Sequence, residues 1–152
     1  MFKNVLFINA LLLLLLSSTF LSCQSKPEPI LYGEDECDNC KMTISDPKYG
    51  AELITYKGKI FKFDSIECLA DYSTKVESWT IGSMWVTDFS NPENLINALD
   101  ALYLKSDKLR SPMGLNLSAF NNSPELEKVI NEFGGDRISW TDLIKYVSEK
   151  WN

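Results

Sequence analysis

The chain has 152 residues, 45% hydrophobic and 24% charged, with a formal net charge of −6. That length suits one ordinary domain or two very small ones, and 12% aromatic residues supply a core. An acidic chain excludes nucleic acid, which calls for a basic face, and the absence of histidine removes imidazole from every candidate site.

In chain order, residues 1–22 read as a lipoprotein signal peptide. Lys3 gives a positive start, Val5 through Leu16 form an apolar stretch too short for a comfortable membrane span, and Ser17, Ser18 and Thr19 follow. Phe20-Leu21-Ser22-Cys23 resembles the bacterial lipoprotein processing site, which implies cleavage before Cys23 and acylation of that residue. Residues 23–30, with Lys26, Pro27, Glu28 and Pro29, are expected to form an extended tether between lipid and domain.

Two β-β-α-β halves are expected beyond the tether, residues 31–90 and 91–152. In the first, a polar loop from Cys37 to Tyr49 leads to a strand over Ala51–Tyr56, the turn Lys57-Gly58 and a strand over Lys59–Phe63. A helix from Ile66 to about Lys75, capped by Asp64 or Ser65, and a strand over Ser83–Phe89 complete it. A short connecting helix is expected over Asn94–Leu99. Strands over Leu102–Lys105 and Leu115–Phe120 come next. The spacing then predicts a helix over Pro124–Phe133 with Ser123 as N-cap and Gly134-Gly135 as its stop. A short strand over Arg137–Trp140 and an amphipathic C-terminal helix from Thr141 to Trp151 end the chain. The order argues an α+β fold.

Cysteine usage directs attention to Cys37-Asp38-Asn39-Cys40-Lys41-Met42. With Cys23 given to the lipid, Cys37, Cys40 and Cys68 remain, a poor disulfide framework for a domain of this size. A Cys-x-x-Cys turn brings two thiols to one ion, and Met42 adds a thioether, a set suited to copper(I). The same residues could form a structural disulfide. They could also form a redox pair, although thioredoxin-like motifs sit between a strand and a helix and this one precedes the first strand. Lys41 excludes c-type haem attachment, which needs histidine there. Zinc would need a carboxylate such as Asp64 to complete four ligands. Met84 lies in an apolar strand and is expected in the core. Met113, in Ser111-Pro112-Met113-Gly114, is either a presented ligand or a packing residue.

Cys37-x-x-Cys40-x-Met42, Phe63-Asp64-Ser65-Ile66-Glu67-Cys68-Leu69, Ser83-Met84-Trp85-Val86-Thr87-Asp88, Ser111-Pro112-Met113-Gly114, Ala119-Phe120 and Gly134-Gly135 together resemble the NosL family, the accessory lipoproteins of nitrous oxide reductase. The resemblance covers nearly all of the chain beyond the signal segment. It implies a non-enzymatic copper(I) chaperone in the cell envelope, anchored to the membrane and facing the periplasm. Its implied partners are a copper-accepting reductase and an ABC-type transporter complex. The family's Cys-x-Met falls on Cys40 and Met42, and its Pro-Met-Gly methionine on Met113. Cys37 is expected as an additional ligand, and Cys68 as a further thiol or a packing residue. Lys41 departs from the family, in which glycine is common at that point of the loop. The contrasting functions are an envelope thiol-disulfide reductase using Cys37 and Cys40, and a passive metal-buffering lipoprotein.

Overall fold

The computed structural model describes residues 26–151. The signal segment and the acylation site expected at Cys23 lie outside the described residues. Strands β1 (Ala51–Thr55) and β2 (Ile60–Phe63) form a hairpin with Ala51 opposite Phe63. Gly58, at φ 80°, makes its tight turn. Helix α1 (Ile66–Lys75) follows directly, and the Ser65 side chain caps it by accepting the Cys68 N–H at 3.3 Å. Strand β3 (Ile81–Asp88) then returns antiparallel to β1.

The order recurs in β5 (Leu102–Lys105), β6 (Leu117–Phe120), α2 (Ser123–Phe133) and β7 (Asp136–Ile138), with β7 antiparallel to β5. Helix α3 (Trp140–Trp151) closes the chain. Two strand triplets, β2-β1-β3 and β6-β5-β7, meet in one mixed sheet through a parallel pairing of Asp88 with Ala119. The expected α+β class, with a C-terminal helix, is what the chain forms.

Side-chain alternation divides the interior. Tyr103, Leu117 and Ala119 join Phe63, Ile66, Leu69, Leu143 and Val147 in a cluster with α1 and α3. Leu104 and Phe120 face the other way, onto Leu126 and Val129 of α2. Gly135 lets β7 approach β5, since a Cβ there would lie 2.5 Å from the Lys105 carbonyl oxygen.

Three local expectations need correction. Residues 94–99 form no helix; strand β4 (Asn91–Asn97) runs antiparallel to β3 instead, with Leu95 opposite Thr87 and Ile96 opposite Val86. A helix that short gains little from its own hydrogen bonds, whereas β3 offers an open edge that tolerates Pro92. The cap of α2 is Asn122, whose side chain accepts the Glu125 N–H at 3.1 Å; Ser123 is already helical. Met84 is only half-buried against the main core.

Glu52, in β1, alternates with the core residues Ala51 and Leu53 yet is fully buried. Its Oε2 accepts the backbone N–H of Glu28 at 3.0 Å, and its Oε1 has no partner. Burial raises its pKa to about 7 from an ordinary 4.5, and Lys62 opposes that rise. A carboxyl raised in the folded state withdraws stability as it ionises, so stability should fall as pH climbs from about 4.5 to about 7. Glu52→Gln should flatten that slope and exceed wild type at pH 8 by roughly 1–3 kcal/mol. Urea unfolding of both proteins across this pH range checks it.

Candidate metal centre

The loop carrying the cysteine pair is fastened on two sides. Asp38 donates its N–H to the Lys62 carbonyl at 2.8 Å and accepts the Lys62 N–H on Oδ2 at 2.8 Å, which binds the loop to β2. The Asn39 amide donates to Asp71 on α1, also at 2.8 Å. Within the loop the Cys37 N–H donates to the Met42 carbonyl, and the Lys41 N–H to that of Cys37. Lys41 turns the chain at φ 65°, a left-handed conformation that favours glycine. The departure from the family pattern at this position therefore has a conformational cost.

The junction of β2 and α1 supplies the other side. Asp64 ends the run of β2, and Cys68 lies in the first turn of α1. The Cys37, Cys40 and Cys68 sulfurs and one Asp64 carboxyl oxygen all lie within 4.8 Å of one another. Cys37 and Cys68 are fully buried, Asp64 is nearly so, and Cys40 is half-buried at the rim. No disulfide joins the three thiols. Asp64 Oδ1 is buried without a hydrogen-bond partner, so an unsatisfied oxygen accompanies three converging sulfurs.

The three sulfurs differ in acidity. Cys37 is lowered to about 6 because the Cys68 thiol donates to its sulfur, with further donation from the N–H groups of Cys40, Asp64 and Asn39 outweighing burial. Burial raises Cys40 to about 11. Cys68 is pushed up because ionisation would end its donation to Cys37, and burial adds to the effect. Of the three, Cys37 is the one whose surroundings favour the thiolate, and those of Cys40 and Cys68 favour the thiol.

Of the residues singled out in the sequence, Cys37 and Cys40 come together as a pair, joined by Cys68. Cys68 is a member of the cluster as well as a packed residue. Asp64, weighed above only to complete a zinc site, is present whatever the metal. The signal for both was local: a residue before the cap and a residue in the first helical turn stand on the same helix end. Met42 is 46% exposed beside Cys40, and Met113 is half-buried against the main core. The Met113 loop is tied to the same helix end. Ser111 donates to the buried Glu67, next to Cys68, and Ser111 Oγ accepts the Asn116 N–H at 2.9 Å.

A family model described as NosL matches residues 30–147, most of the chain. The protein belongs to the NosL family. As a NosL protein it is an accessory protein and not an enzyme. A comparison with curated proteins gave no match. Among solved structures, the chain is similar to the copper chaperone NosL from Shewanella denitrificans. The two share 23% identity over 76% of this chain and 92% of the other, with a TM-score of 0.67, and so share the fold.

Two outcomes test the geometry. Cys68→Ala should remove the main donor to Cys37 and move the thiolate absorbance step at 240 nm upward from about pH 6. An unmoved step would mean that the backbone N–H groups alone hold the charge. Lys41→Gly should raise stability in urea by about 1 kcal/mol by relieving the left-handed turn. Loss of the exposed pair with Asp38, 4.0 Å away, should subtract little.

Proposed function

We propose that this NosL protein carries copper(I) as cargo in the cell envelope and passes it to an acceptor, in support of nitrous oxide reductase maturation. The observation that carries the reading is the convergence of three sulfurs within 4.8 Å in a chain without histidine. Soft sulfur donors in small number suit copper(I). Cys37, the most acidic of the three thiols, takes the ion first; Cys40 at the rim gives up a proton to bind it. Met42 and Met113 add neutral thioethers that bind weakly and exchange readily. Cys68 and Asp64 support the ion from beneath. Release then proceeds arm by arm, beginning at the exposed Met42.

Cys23 bears the lipid, and the domain faces the periplasm, where an ABC-type transporter complex and a copper-accepting reductase would meet it. No helix among the described residues is long and apolar enough to cross a membrane.

The reductase alternative fares worse. A dithiol reductase attacks with its low-pKa sulfur, which must reach a partner's disulfide. Here that sulfur, Cys37, is fully buried, and the accessible Cys40 is pushed up. Zinc(II) has one observation in its favour: three sulfurs and a carboxyl oxygen make a four-ligand set.

Anaerobic competition titration separates these possibilities. The full-length protein should bind one copper(I) and prefer it to zinc(II). Cys40→Ser should lose most of that affinity. Met113→Ala should weaken it by roughly ten- to a thousandfold, about 1.4–4 kcal/mol, while Met84→Ala, also half-buried, should leave it unchanged. A preference for zinc, or equal effects of the two methionine variants, would overturn the assignment.

A further inference from the structure

The metal centre occupies one end of the first strand triplet, and the opposite end carries an unexplained apolar surface. Of five exposed large hydrophobic residues among those described, Tyr56 and Leu99 stand there and Trp79 precedes Thr80, which bonds to Tyr56; each is more than 60% exposed. Tyr56 and Leu99 line a groove of about 450 Å³ floored by Ile81, Met84 and Trp85. The Tyr56 N–H donates to the Thr80 carbonyl at 3.1 Å, which sets the turn bearing Trp79 beside the groove. Stable folding gives no reason to expose three such side chains together.

The N-terminal chain identifies the occupant. Lys26 lines this same groove. Only residues 24 and 25 separate it from Cys23, and three extended residue steps span at most about 11 Å. An acylated Cys23 is therefore confined to the neighbourhood of the groove. From this placement we propose that the face formed by Tyr56, Trp79 and Leu99 rests on the bilayer that holds the anchor. Tryptophan and tyrosine rings favour the headgroup region, where an apolar body and a polar edge are both satisfied. Lys26 and Lys57 of the adjoining turn offer cations to anionic headgroups, offsetting Glu77 and Asp100 beside Trp79 and Leu99. The acylated cysteine holds the chain at the membrane, and the aromatic contacts set how the domain lies on it.

Strand register then orients the metal centre. Along β1, Thr55 pairs with Ile81 at the groove end, and Ala51 pairs with Phe63, next to Asp64, at the other. Four residues of strand separate the ends by roughly 13 Å. With the groove against lipid, the cysteine loop faces away from the membrane, open to a soluble acceptor.

This inference rests on the lipid-anchor reading, and one experiment distinguishes the two. Full-length protein, processed in bacterial membranes, is reconstituted into phosphatidylethanolamine–phosphatidylglycerol vesicles with brominated acyl chains, and tryptophan emission is recorded after flotation. Wild type should float and be quenched. Trp79→Phe should at least halve the quenching, whereas Trp151→Phe, on α3, should leave it intact. Protein that floats with no Trp79-dependent quenching overturns the bilayer contact alone and would assign the face to a protein partner. Protein that fails to float overturns the anchor, and the contact with it.

Discussion

The approach of the Cys68 sulfur to that of Cys37, within 4.8 Å, joins the cysteine loop to the start of α1, and the chemistry of the centre follows from it. It requires the cysteine loop to lie over the first turn of α1, and the chain meets that requirement twice. The Asp38 N–H and carboxylate, both bonded to the backbone of Lys62, dock the loop on β2, and Asn39 docks it on α1. The Ser65 cap sets where the helix begins and hence where Cys68 points. Separation of either support would draw the cysteine loop away from Cys68 and Asp64 and break up the cluster.

The second half meets this unit at a few specific places. Asp88 pairs with Ala119 in the sheet, the Phe89 N–H donates to the Ala119 carbonyl, and α3 contributes Leu143 and Val147 to the core that α1 occupies. The contact between Ser111 and Glu67 adds a polar tie next to Cys68. The buried Glu67 carboxyl accepts from Ser111 on Oε1, and its Oε2 has no partner. What that bond fixes is the approach of the Pro-Met-Gly loop to the helix end that carries the thiol.

Much of the element order was legible because punctuation residues mark it. Lys57-Gly58 and Gly134-Gly135 stand where turns occur, and Ile66–Lys75 is a helix over the expected span because Ser65 caps it. The failures share a cause. Asn94–Leu99 carries a weak local preference, and the vacant edge of β3 decided its state, which no short window of sequence reveals. Asn122 displaced Ser123 as cap because both residues can do that work and geometry chooses between them. In the site, Cys37 and Cys40 were visible as a spacing motif, whereas the partnership with Cys68 depends on tertiary docking. The exposed Tyr56, Trp79 and Leu99 are scattered along the chain, and only the fold gathers them.

The four converging groups all come from residues 37–68, and the strands that arrange them end at Asp88. Contacts so near in sequence close short loops at modest entropic cost and form early. A chain emerging N-terminus first therefore has every one of these donors in hand before Ala119 arrives to bridge Asp88. Order of synthesis is in this sense directional: every donor of the cluster is made before the second half brings Ser111 to Glu67 and packs Leu143 and Val147 into the core beside α1.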